Sequence, residues 1–209
     1  ITIVTNDDLA CIVSSMKGKP FVLPDPLPNL PMSDKCVLKG AANILMISSF
    51  GIDEPIDEVL AAMGSLNEDV YLYITGNYKK IDTKIVESAP KNVVFTGFLE
   101  DQIFVNMVFS VDAIMVLTTA ESCMLCGCYE AVSAGKPLIT SNTKALSNYF
   151  LGAYFVENNR TSIAEGLISV LSRKDEHKKN IDILKDNLQS SWAQLFQGLE
   201  NEIFSLVRR

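Results

Sequence analysis

The sequence predicts an α/β fold, a doubly wound, Rossmann-like parallel sheet with helices on both faces, and three observations carry that reading. Short β-branched apolar runs alternate with longer stretches of helical periodicity. Most of the short runs are continuously apolar instead of alternating, as strands covered on both faces must be. The longer stretches place apolar residues three and four apart, the spacing of one helix face.

In chain order, the first apolar run, 1–4, leads through a helical stretch to a second at 21–23, a strand-helix-strand piece. Pro24, Pro26, Pro28 and Pro31 then crowd a segment where missing amide donors and fixed backbone angles oppose regular structure, so 25–32 reads as an interdomain linker. A long surface loop within one domain is the other reading of that segment. Since Ile1 already stands inside a strand-like run, residues 1–32 are expected to be the tail of an upstream α/β domain with its linker. The main domain, 33–180, carries strands at 43–48, 70–75, 93–96, 113–117, 137–140 and 153–156. Helices between them follow from Ile56, Val59, Leu60 and Met63, from Ile103, Val105, Met107 and Val108, and from the stretches 130–134 and 163–171. The last segment, 181–209, is one long helix, with Ile181, Leu184, Leu188, Trp192, Leu195, Phe196, Leu199, Ile203 and Leu206 in a single stripe.

Composition bounds the function. With 48% hydrophobic and 21% charged residues the chain has material for a core, which excludes disorder. A net charge of −7 with no basic block excludes duplex nucleic acid as a partner. No apolar run approaches the roughly 20 residues that span a bilayer, so a soluble protein is expected, with peripheral membrane association left open. Cys123, Cys126 and Cys128 crowd one segment, but the single histidine, His177, lies far downstream in a polar helical stretch. No metal site is therefore expected, and the thiols read as free in a reducing cytoplasm.

Open α/β sheets bind ligands beyond the carboxyl ends of their strands, where strand order reverses. That rule selects the loops at 48–53, 75–79, 96–99, 117–130 and 140–144. The richest holds Thr118, Thr119, Glu121 and Ser122, then Gly127 and Glu130. Hydroxyls and a carboxylate at a strand end, followed by a glycine and a second carboxylate opening a helix, supply acceptors for sugar hydroxyls. The helix amides suit a phosphate. A carboxylate such as Glu130 can also grip two vicinal hydroxyls at once. Local readings stand beside these: Gly76 and Gly97 serve as turns, and Asp53, Glu54, Asp57 and Glu58 form an acidic helix N-terminus.

The stretch from Gly127 and Cys128 through Glu130, Ala131, Gly135, Lys136 and Pro137 resembles the donor-site helix of the group 1, family 4-like retaining glycosyltransferases of GT-B fold. Asn92 to Phe98 is similar to that family's strand and glycine turn beside the nucleotide base, and Ala113 to Glu121 to its strand ending in hydroxyls and an acid. Val70 to Gly76 is similar to the family's strand closed by glycine, and Ser190, Ser191 and Trp192 to the start of its last helix, which packs back on the first domain. The resemblance runs from Asn43 to Val207.

It implies a donor-binding half that transfers sugar from a UDP- or GDP-linked donor to a glycan or lipid-linked acceptor held by an upstream domain, in polysaccharide or glycoconjugate biosynthesis. No permanently bound cofactor is implied. Glu130 would hold the ribose and Gly97 with Phe98 the base, while Ser122 and the helix at Gly127 face the diphosphate. Glu121 would reach the donor sugar as the catalytic residue, and Thr119, Gly76, Ser49 and Gly51 complete the donor set.

Two departures stand out. The family spaces its two glutamates with seven residues between, whereas Glu121 and Glu130 have eight. The loop at 48–54 also lacks the arginine and lysine that many relatives offer the diphosphate. Charge would then come from helix amides, Lys136, Lys79, a metal ion or the other domain. A non-catalytic nucleotide-sugar-binding or regulatory module on the same fold is the competing reading. A receiver-like interaction domain would need aspartates clustered after its first strand together with a lysine at a later strand end, and that arrangement is not visible.

Overall fold

The computed structural model describes residues 1–31 and 34–207. The chain forms a six-stranded parallel sheet and, apart from it, a two-stranded parallel sheet. The small sheet pairs β1 (Thr2–Val4) with β2 (Pro20–Val22), joined by α1 (Asp7–Ser15), whose Asn6 side chain accepts from Leu9 N as an N-cap. The linker expected at 25–32 is irregular as far as Pro31, and Met32 lies outside the described residues. It is held down: Trp192 Nε1 donates to the Pro24 carbonyl at 2.9 Å, Ser133 Oγ donates to the Pro28 carbonyl, and Leu27 and Leu30 pack on the core.

The large sheet contains β3 (Ala42–Met46), β4 (Val70–Thr75), β5 (Val93–Gly97), β6 (Ala113–Val116), β7 (Leu138–Ser141) and β8 (Tyr154–Val156), ordered β5-β4-β3-β6-β7-β8 with every pair parallel. Strand order reverses between β3 and β6. Successive residues serve opposite faces, which explains the continuous apolar runs. Ile44, Met46, Leu72, Ile74, Ala113, Met115 and Ile139 join one core, and Leu45, Tyr73, Ile114, Val116 and Leu138 the other.

The first core is roofed by α2 (Ile56–Met63) and α7 (Arg160–Ser172). The second is covered by α4 (Asp101–Ser110), α5 (Cys126–Ser133), α6 (Lys144–Tyr149) and the first half of α8 (Lys174–Val207). A short α3 (Thr83–Glu87) follows β4. Among the described residues no helix is long and apolar enough to cross a membrane.

Two helical expectations change. The last helix begins at Lys174, ahead of the apolar stripe, because its first turns are polar and acidic Asp175 and Glu176 favour its N-terminus. Ser190, Ser191 and Trp192 therefore lie inside α8 and do not start a helix. Along the same helix Ile181, Leu184 and Leu188 enter the core, while Trp192 stacks on Phe196 with ring centroids 5.0 Å apart.

Glycines set the closeness of the rim loops. Gly76 ends β4 at φ 99°, and a Cβ there would stand 2.1 Å from the Ser48 carbonyl oxygen. Both the backbone region and the space demand glycine. Gly64, at φ −63° beyond α2, leaves 3.6 Å to its nearest neighbour. Chemical denaturation is expected to show Gly76→Ala losing roughly 3 kcal/mol or more, and Gly64→Ala changing stability by under about 1 kcal/mol. Equal effects at the two positions would contradict this account of the rim.

Candidate functional site

The carboxyl rim at the β3/β6 reversal is built from the loops after β3, β4, β5, β6 and β7. The β3 loop, 48–54, folds on itself: Glu54 accepts from Ser49 N at 2.8 Å, Ser49 Oγ at 2.7 Å and Phe50 N at 3.2 Å, and from the Ser48 hydroxyl. Phe50 is buried at φ 53°, a left-handed conformation rare for a bulky residue. Its ring packs against Phe95.

Asp53 joins this loop to the one after β6. Its carboxylate accepts from the buried Thr118 hydroxyl, and its carbonyl accepts from Thr119 N at 2.7 Å and Thr119 Oγ1 at 3.1 Å. Thr118 Oγ1 also accepts from Ala120 N at 3.1 Å, and Asn158 Nδ2 donates to the Thr118 carbonyl at 2.8 Å. Asp53 and Glu54, read from sequence as part of an acidic helix N-terminus, thus organise the rim, and only Asp57 and Glu58 stand in the first turn of α2. The Thr119 hydroxyl is already engaged.

The α5 helix starts at Cys126, so Glu130 sits one turn in and does not open it. Gly127 lets that start approach the sheet: a Cβ would meet Val116 Cγ2 at 3.0 Å and Ile47 at 3.1 Å. The N-cap Leu125 supplies no side-chain hydrogen bond. Glu130 is half-buried, burial raises its carboxyl pKa, and its carboxylate has no hydrogen-bond or ion-pair partner among the described residues. A partly desolvated carboxylate left unpaired is costly, and vicinal hydroxyls would satisfy it.

The other expected site residues scatter along the rim. Glu121 is exposed and accepts from Lys144 N at 3.4 Å, which puts it at the start of α6. No hydrogen bond joins it to Glu130 among the described residues. The Ser122 carbonyl accepts from Asn6 Nδ2 at 3.0 Å, tying the β6 loop to the small sheet. Gly97 ends β5 at φ 74° and its carbonyl accepts from Gly76 N at 3.0 Å, with Phe98 beyond it 87% exposed. Ser49 and Gly51 belong to the Glu54-centred turn.

Lys136 is removed as a source of charge for the diphosphate. Its ammonium donates to the Phe109 and Val111 carbonyls at 2.8 and 2.7 Å, capping the end of α4 at the opposite edge of the sheet. The cations at the rim are others: Lys80 donates to the Ser49 carbonyl at 2.8 Å, and Lys144 pairs with Asp8 at 2.9 Å across a cavity lined by Thr5, Asn6, Met124 and Tyr149. Asn6, Lys80 and Lys144 were missed from sequence because their partners are remote in the chain.

Of the clustered thiols, Cys128 is buried 3.5 Å from Thr140 Oγ1, and burial pushes it up to about 12. Among the described residues no three His, Cys, Asp or Glu side chains gather as a metal site needs.

This strand order and rim define an open, doubly wound, Rossmann-like α/β domain. The chain belongs to the group 1 glycosyl transferases, whose family model matches residues 41–173. No curated protein matches it by sequence. Among solved structures it is similar to sucrose-phosphate synthase from Thermosynechococcus elongatus, with TM-score 0.78 and 16% identity over 98% of this chain and 58% of that one. It is also similar to Anabaena Alr3699/HepE in complex with UDP and glucose, with TM-score 0.78 and 10% identity over 97% and 62%. A third likeness is to the pneumococcal O-GlcNAc transferase GtfA in complex with UDP and GlcNAc, with TM-score 0.72 and 12% identity over 99% and 45%. The chain thus spans roughly half of each of these proteins.

The Asp53 bridge is open to a direct check. Thr118→Val keeps the shape but leaves the Asp53 carboxylate and the Ala120 amide unpaired, so urea denaturation is expected to show a loss of about 1–3 kcal/mol. A variant as stable as the parent would mean the bridge contributes nothing.

Proposed function

We propose that the chain is the nucleotide-sugar-binding half of a retaining glycosyltransferase, acting with an acceptor domain joined through residues 1–32. The observation that carries this is Glu130: a half-buried carboxylate without a hydrogen-bond or ion-pair partner among the described residues, one turn into the helix after β6, beside the strand-order reversal. In this reading Glu130 holds the ribose hydroxyls, main chain at Gly97 and Phe98 meets the base, and the uncapped start of α5 faces the diphosphate. Glu121 reaches the donor sugar. The donor is UDP- or GDP-linked, and UDP in complex with two of the similar proteins supports that class.

The small sheet supports the two-domain reading. A two-stranded parallel sheet is not stable alone, and Ile3, Ile12 and Met16 on this unit are exposed. The acceptor is a glycan or lipid-linked sugar, in polysaccharide or glycoconjugate biosynthesis on the cytoplasmic side, with peripheral membrane association. Catalysis consists of stabilising the departing diphosphate with groups from both halves, so the chain alone binds donor weakly and turns over little.

A second reading, a non-catalytic binding module, is favoured by the β3 loop, which has no lysine or arginine between 48 and 54. Joined to an upstream acceptor domain, the protein is expected to hydrolyse or transfer from its donor. Nucleotide binding without any cleavage would decide for the module.

Calorimetric titration is expected to show millimolar or tighter binding of UDP or GDP, weakened about tenfold or more in Glu130→Gln. Since burial raises the Glu130 carboxyl pKa and the charged form accepts the hydroxyls, affinity should be full well above that value and fall as pH drops through it. The fall should start above the ordinary carboxylate range. No heat with either nucleotide would count against the whole reading.

A further inference from the structure

The turn after β3 is arranged around a carboxylate. Two consecutive amides, Ser49 N and Phe50 N, and two hydroxyls, of Ser48 and Ser49, all donate to Glu54. Phe50 at φ 53° turns neighbouring amides toward one point, the arrangement of an anion-binding nest. Gly51 leaves the nest without a side-chain roof, since a Cβ there would stand 2.7 Å from Asp53 Oδ1 and 3.4 Å from Ser49 Oγ. Lys80 brings a positive charge to its edge through the Ser49 carbonyl. The nest lies at the carboxyl end of β3 beside β6, where strand order reverses and open sheets take their ligands. Its donors are those an oxyanion requires, and Glu54 is the oxyanion they hold.

We propose that Glu54 is the built-in occupant of a phosphate-type site, so that a diphosphate enters the nest only by displacing the Glu54 carboxylate. Glu54 then sets the affinity for anionic ligands at this rim. The identity of the natural diphosphate rests on the nucleotide-sugar reading, whereas the nest does not. A phosphate and the carboxylate compete for the same donors and repel one another, so they cannot share it. Displacement does not require the turn to unfold. The Asp53 carbonyl is held by Thr119 N and its carboxylate by Thr118, and the Ser48 carbonyl packs under Gly76, so the backbone stays anchored on both sides when the Glu54 side chain swings out.

The test titrates the parent chain, Glu54→Gln and Glu54→Ala with inorganic pyrophosphate and, separately, with UDP. Pyrophosphate is expected to bind Glu54→Ala about tenfold or more tighter than the parent, with a smaller gain for Glu54→Gln, which keeps one acceptor oxygen. Equal pyrophosphate affinity in all three folded proteins overturns the proposal. A gain for pyrophosphate without one for UDP upholds the nest while placing the nucleotide elsewhere, which separates this inference from the donor reading. If circular dichroism shows Glu54→Ala unfolded, Glu54→Gln carries the titration together with the amide resonances of Ser49 and Phe50. Those resonances are expected to move in the variant at a pyrophosphate concentration that leaves the parent unchanged. Movement in the parent at that same concentration overturns the proposal.

Discussion

The hydrogen bonds of Asp53 and Glu54 organise the carboxyl rim between β3 and β6. β3 and β6 are adjacent strands whose connections leave in opposite directions, so the loops above them have no ladder in common. Asp53 supplies the missing connection, accepting from Thr118 and Thr119 of the β6 loop through both its carboxylate and its carbonyl. Glu54 satisfies the turn's own amides. A carboxylate that accepts several hydrogen bonds is held in one orientation, which is why a seven-residue loop without secondary structure is ordered here.

The same rim couples the two sheets. Asn6 caps α1 with its oxygen and holds the Ser122 carbonyl with its amide, so one side chain orients the small unit against the β6 loop. Lys144 with Asp8 and Lys19 with Glu202 add ion pairs between the units, but their lysines are exposed and such pairs contribute little. Trp192 contributes more: it buries apolar area, stacks on Phe196 and donates to Pro24. The proline-rich segment is thereby pinned to α8, and its lack of amide donors costs nothing because its carbonyls serve as acceptors.

Much of the fold was legible in the sequence. All eight strands stand within two residues of where continuous apolar runs place them, since burial on both faces leaves no polar position to blur the signal. The helices α3 and α6 were not legible. At five and six residues neither completes two turns, and periodicity needs more length than that. Their N-caps, Asp82 and Thr143, were the available signal. The candidate site was legible only in outline. Glu130 and the glycines stand out in the sequence because residue type restricts what they do, whereas Lys136 looked available until its ammonium was seen capping α4.

By itself, then, the sequence determined the layers, the parallel sheet, the family and the loops that form the rim, because hydrophobic period and glycine placement act locally and leave a local trace. Tertiary structure alone decided which polar groups at that rim are free. Thr118 and Asp53 are 65 residues apart, and Asn6 and Ser122 are separated by 116. Whether a carboxylate is consumed by such a partner, as in Asp53, or left half-buried without a partner among the described residues, as in Glu130, depends on distances that no run of neighbouring residues encodes.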